Sequence, residues 1–191
     1  MRGRWELADK QWELIEPVLR PSRRADNRGR PWHDTRSVLN GVLWVLGTEA
    51  QWRELPEKYP PFQTCHRRFQ QWVRTGKLEE ALRRLARYLH ERGELNLEPA
   101  RLVGDKAYDS DKLDQRLAEA YDIEMIAPNR SNRSKTQDGR KLHCYRRRWK
   151  VERLFAWMHN FRRLVTRWEY HIENFLGFVH LACLQMMLTH L

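Results

Sequence analysis

The chain has 191 residues, 41% of them hydrophobic and nine of them tryptophan, which excludes wholesale disorder and leaves room for one medium domain or two small ones. Its formal net charge of +11 points to a polyanionic partner. Three scattered cysteines, Cys65, Cys144 and Cys183, form no CxxC pair, so a disulfide framework and a zinc site are both excluded and a reducing cytoplasm is expected.

Asp9 to Leu19 reads as a short helix with Asp9 as N-cap and Trp12, Ile15 and Leu19 on one face. Pro21 to Pro31 is a basic loop. Asp34 caps a second helix running through Ala50, with Val38, Val42, Val45 and Leu46 inward, and the Pro-rich stretch from Leu55 to Pro61 is a turn. Thr64 is a candidate cap for a third helix to Arg74, with Phe69, Trp72 and Val73 inward and Arg67, Arg68, Gln71 and Arg74 outward. Gly76 ends it. Lys77 to Arg92 carries Leu78, Leu82, Leu85 and Leu89 at helical spacing and stops at Gly93.

The second half changes character. Ala100 to Asp105 and Ile123 to Ala127 are strand patterns on either side of an amphipathic helix from Asp111 to Tyr121, together a βαβ unit. Pro128 to Leu142 is a polar, basic loop, and a helix from about Cys144 to Asn160 follows. The apolar run from Phe175 to Leu188 is shorter than the ~20 residues a bilayer demands, so it reads as a buried helix and no membrane partner is expected. The N-terminus carries no apolar run of the kind that opens a signal peptide.

Charge is not spread evenly. Pro128 to Arg167 holds 13 Lys and Arg against two acids, Asp138 and Glu152, so this stretch accounts for the whole net charge and the remainder is neutral. A solvated surface mixes its signs, whereas a phosphate-binding one does not. Arg130, Arg133, Lys135, Arg146, Arg147 and Lys150 are the candidate backbone contacts, and the outward face of the third helix (Arg67, Arg68, Gln71, Arg74) is the candidate for the major groove.

Two carboxylates stand out from their surroundings. Asp105 ends a strand, where α/β sheets build active sites, although an acid at a strand end is common for purely structural reasons. Asp109 and Asp111 read as caps of the helix that follows. Glu152 shares a helical stripe with Tyr145, Arg148 and Trp149. It is either an i,i+4 partner of Arg148 or a metal ligand amid phosphate-binding arginines. Jointly, Asp105 and Glu152 suggest two ligands of one metal.

The segments VGDKAYDSD and YRRRWKVERLFAWMHNFRRLVTRWEYHIENFLGF resemble the second half of DDE transposases of the insertion-sequence-five family. Tyr145, Arg148 and Glu152 match the Tyr–two–Arg–three–Glu core of the transposase signature, while the Lys expected seven residues after the Glu is replaced by His159. LADKQWELIEPVL, GRPWHDTRSVLNGVLWVL and WRELPEKYPPFQTCHRRFQQW are similar to the helical, helix-turn-helix-like opening domain of that family. The resemblance implies a ribonuclease-H-like core in which two Asp and one Glu bind two Mg²⁺ ions for phosphodiester cleavage and strand joining. It implies Asp105 as the second Asp and Glu152 as the Glu, with Arg148 and Tyr145 beside them. Its expected partner is double-stranded DNA at terminal inverted repeats.

The sequence departs from that pattern at the first Asp. Leu97 runs through Glu98 and Pro99 straight into the Asp105 strand, and the leading strands of such a core have no counterpart, as after an internal in-frame deletion. The expected architecture is therefore α+β or α/β, a helical domain over residues 1–94 and an incomplete ribonuclease-H-like core over 95–191. Catalysis is expected to be impaired. DNA binding is expected to persist, with low stability or a homo-oligomer covering the exposed sheet edge.

Overall fold

The computed structural model describes residues 5–21, 31–97, 99–131, 143 and 149–189. The helices α1 (Asp9–Leu19), α2 (Thr35–Thr48), α3 (Phe62–Arg74) and α4 (Lys77–Glu91) come first. Strands β1 (Arg101–Val103) and β2 (Glu124–Ile126) then flank α5 (Asp111–Tyr121), and α6 (Trp149–Met158), α7 (Arg162–Val165) and α8 (Ile172–Leu188) follow. Whereas the sequence divides after residue 94, the compact units are Met1–Leu95 with Trp157–Leu191, and Asn96–Ala156.

The first unit is a helical bundle with α2 at its centre. Val38, Leu39, Val42, Val45 and Leu46 are each fully buried, so α2 is apolar around most of its circumference rather than on one stripe. Asp34 caps it as expected, its carboxylate accepting the Ser37 N–H at 2.7 Å. α8 returns to the bundle, packing on α3 and α4. Phe178 stacks on Phe69 with ring centroids 4.4 Å apart. Both rings are completely buried, and truncating either to alanine would cost about 3–5 kcal/mol. That pairing is why the C-terminal helix belongs with the N-terminal ones.

Two expected caps are corrected. Asp9 is the first residue of α1, not its cap. The cap is Ala8, whose N–H is taken by the Gln11 side chain at 2.7 Å, while Asp9 pairs with Arg36 at 2.6 Å. Thr64 lies inside α3, which starts at Phe62, because the Pro61 carbonyl accepts both the Thr64 and the Cys65 N–H. Gly76 and Gly93 sit at the helix ends read from the sequence with φ of 67° and 72°.

The second unit is the expected βαβ arrangement. β1 and β2 pair in parallel, Arg101 with Glu124, Leu102 with Met125 and Val103 with Ile126. Met125 and Ile126 are buried, yet Leu102 on β1 is 45% exposed. Among the described residues no strand lies between the end of α4 at Glu91 and the start of β1 at Arg101, and the sheet has two strands. Cys65 and Cys183 are free thiols, and among the described residues no helix is long and apolar enough to cross a membrane.

Candidate carboxylate site and nucleic-acid interface

Asp105 stands where β1 ends, half-buried, but it is already occupied with local structure. Its carboxylate accepts the Ala107 N–H at 2.8 Å and caps the single 3₁₀ turn of residues 106–108. Asp105 thus caps the short turn that precedes α5, not α5 itself. Asp109 does not cap α5: the cap residue is Ser110, without a side-chain bond. Instead Asp109 is buried and accepts the backbone N–H of Arg130 at 2.7 Å.

Arg130 completes this clasp from the other side. Its Nε donates to the Lys106 carbonyl at 3.0 Å and its guanidinium also reaches the Ala107 carbonyl. The loops after β1 and β2 are thereby tied together at the C-terminal edge of the sheet. Arg130, a candidate phosphate contact, is exposed, and its guanidinium also engages two carbonyls, which ties it to the Asp105 loop.

Glu152 lies in the first turn of α6 and is exposed. Asp105 and Glu152 belong to the same compact unit. Tyr145 and Arg148, with Arg133, Lys135, Arg146 and Arg147, lie outside the described residues, and Lys150 is in the first turn of α6. Among the described residues no group of three or more His, Cys, Asp or Glu side chains is placed to hold a metal ion. Among the described residues, Asp105 is engaged in a cap, Glu152 is exposed, and no third carboxylate joins them.

The face of α3 is better defined. Arg67, Gln71 and Arg74 are exposed and recur at the spacing of one helical stripe. Arg68 is the correction. Only 4% exposed, it lies with its guanidinium 4.1 Å from the centroid of the Trp32 ring. Burial shifts its pKa below the ordinary arginine value. It is a packing residue rather than an outward one.

A second inward arginine comes from the basic stretch. Arg163 on α7 is buried against Glu169 at 2.7 Å, donates to the Ala50 carbonyl at 3.1 Å and lies over the Phe178 ring. His66 of α3 packs nearby against Trp52, tilted by 35° with ring centroids 4.7 Å apart. Its pKa is lowered chiefly by burial, with Glu169 opposing and Arg163 adding to that shift. Nothing in the sequence pattern marks this cluster, since an Arg and a Glu six residues apart meet only through the turn between α7 and α8.

Two family models match the chain and between them cover most of it. One described as "Transposase DDE domain" matches residues 77–187, and one described as "Putative transposase of IS4/5 family" matches residues 7–82. The chain is 36% identical over 81 residues to "Uncharacterized protein y4sN" of Sinorhizobium fredii, covering 42% of this chain and 63% of that protein. It is 42% identical over 74 residues to "Insertion element IS402 uncharacterized 16.2 kDa protein" of Burkholderia cepacia, covering 37% of this chain and 50% of that one. With "Putative transposase for insertion sequence element IS402", also of Burkholderia cepacia, it shares 35% over 85 residues, covering 44% of this chain and 37% of the other. These matches span between about a third and two thirds of the relatives' lengths. No solved structure matches the chain.

Proposed function

The chain belongs to the DDE transposases of insertion sequences, and from that premise we propose that it binds transposon-end DNA without completing the family's strand cleavage and joining. The observation that carries the second half of this reading is the passage from α4 to β1. Nine residues separate Glu91 from Arg101, and no strand that could bring a leading aspartate beside Asp105 lies between them among the described residues. DDE transposase domains generally work with a divalent metal. Here the carboxylates of Asp105 and Glu152 lack the third that would bridge a metal pair, and the developing charge on a phosphodiester would go poorly stabilised.

The first half of the reading rests on charge and exposure. Arg67, Gln71 and Arg74 offer α3 to a major groove, as the second helix of a helix-turn-helix-like domain. Arg133, Lys135, Arg146, Arg147 and Lys150 supply backbone contacts from the basic stretch. Such a protein occupies terminal inverted repeats, or competes there with an intact enzyme. Leu102, Leu154 and Phe155, all exposed in the second unit, give a second copy apolar surface to cover, which favours a homo-oligomer.

The test is a mobility-shift and cleavage assay on a duplex carrying the inverted repeat, with Mg²⁺ or Mn²⁺. A shifted band without cut product is expected. Metal-dependent cleavage abolished by Asp105→Ala or Glu152→Ala would show that a complete site assembles after all, with an acid from a second subunit.

A further inference from the structure

Only Thr75 and Gly76 separate α3 from α4. Gly76 turns the chain at a φ of 67°, and its carbonyl accepts the Glu80 N–H at 2.9 Å, the first bond of α4. α8 packs on both helices: Phe178 stacks on Phe69 of α3, while α4 buries Leu78, Ala81, Leu85 and Leu89. The faces that α3 and α4 turn away from α8 therefore look outward on one side of the pair. On α3 that face carries Arg67, Gln71 and Arg74, and on α4 it carries Arg84 and Arg87, both exposed.

Arg84 and Arg87 stand apart from the other cations of α4. Lys77 is paired with Glu80 at 2.8 Å, and Arg83 with Glu79. Glu80 lies four residues before Arg84, the favourable order for an ion pair along a helix, but Lys77 already holds it. Glu91 lies four residues after Arg87, the less favourable order. Among the described residues neither arginine side chain has an ion pair or a hydrogen bond. Three positions apart, the two share a stripe with their Cβ atoms about 5–6 Å from each other. Guanidiniums this close repel one another, and a row of phosphates relieves that repulsion while matching the fork of each group.

The two helices suit different parts of a duplex. α3 has no Asp or Glu between Phe62 and Arg74, so it can enter a groove bounded by two rows of phosphates. α4 carries Glu79, Glu80 and Glu91 among its arginines, and in a groove these carboxylates would meet phosphate on both sides. That leaves α4 suited to a single row.

We infer that Arg84 and Arg87 clamp neighbouring phosphates of one DNA strand, flanking the groove that receives α3. The inference rests on the DNA-binding reading above and extends the interface to a helix outside the basic stretch. The clamp fixes how α3 is aimed and carries no sequence information of its own.

Fluorescence anisotropy of the full chain on transposon-end and random duplexes, over about 0.05 to 0.2 M salt, tests this. Arg84→Ala with Arg87→Ala is expected to weaken both duplexes by the same factor. It should also lower the log–log salt slope by about 1.8, or 0.9 for each phosphate released. Arg84→Lys with Arg87→Lys should keep most of the slope, because charge sets counterion release. Lys10→Ala with Arg20→Ala, which takes two cations from α1 and its C-terminal cap, should leave the slope in place. All four positions are exposed, so an unchanged thermal melt is expected and separates lost contacts from unfolding. A double alanine variant of α4 with the wild-type slope, or an equal loss from the α1 variant, would overturn the clamp and leave DNA binding standing. A loss confined to the transposon-end duplex would overturn it as well, by making α4 the helix that reads bases. If the unaltered protein binds neither duplex, both readings fall.

Discussion

Arg163 and Glu169 form an ion pair that is almost wholly out of water, 2.7 Å apart with side chains 7% and 9% exposed. Removing one partner of such a pair strands the other charge in the interior. Arg163→Ala or Glu169→Ala is therefore expected to destabilise the first unit by about 3–5 kcal/mol in a denaturant melt. Replacing both by apolar residues of similar volume should cost clearly less than the sum of the two single changes. Additive losses would mean that the two side chains contribute independently.

The neighbouring His66 makes stability depend on pH. Its folded pKa is lowered from 6.5, first by burial, so the unfolded chain takes up the proton more readily. Its contribution is intact above about pH 7.5 and is lost as pH falls through 6.5 towards the folded pKa, where the loss levels off. A lower melting temperature at about pH 5.5 than at about pH 7.5 is expected, and His66→Gln should remove part of that difference. An identical pH profile in the variant would exclude His66 as the source.

Arg67 and Arg68 are adjacent in sequence and opposite in role. Arg67→Ala with Arg74→Ala should weaken binding to transposon-end DNA and leave the thermal melt in place. Arg68→Ala should instead lower stability by about 1–2 kcal/mol, since it removes a buried stem and a cation–π contact with Trp32. If Arg68→Ala alone abolishes DNA binding in a protein that melts normally, its inward role is wrong.

Arg146 and Arg147 are expected to grip phosphates without reading sequence. Replacing both by alanine should weaken specific and random duplexes alike and flatten the log–log salt dependence by about 0.9 for each phosphate no longer neutralised. A weakening confined to one sequence would indicate that these arginines touch base edges.

Periodicity made most of the helices legible. α5 has the expected bounds and α4 ends within a residue of expectation, because regular apolar spacing and a glycine stop leave little choice. Arg68 departs from its expected outward place: three residues after Cys65 and four before Trp72, it falls on the buried face of α3. Register outweighs residue type here, because a long side chain with an aromatic partner can be buried. The parallel pairing of β1 and β2 follows from the βαβ pattern, and so does the position of Asp105 just past the strand end. What Asp109 and Arg130 do beside it was hidden, since their clasp joins two loops distant in sequence. Likewise, counting charge over the basic stretch could not separate arginines facing solvent from Arg163, which is buried and holds a carbonyl and a buried carboxylate.

The return of α8 to the N-terminal bundle has a temporal consequence. Gln11 in α1 donates to the carbonyl of Leu188 at 2.7 Å, a closure across nearly the whole chain. Synthesis proceeds from the N-terminus at ~5–20 residues per second, so α1 to α4 emerge many seconds before the surface that covers Phe69 exists. For that interval the nascent bundle shows an apolar face to its surroundings, and it must stay unaggregated or be held by a chaperone. Such a chain folds as a late event rather than piece by piece, and a nascent chain released before α8 is made lacks a closed core and lies open to proteases.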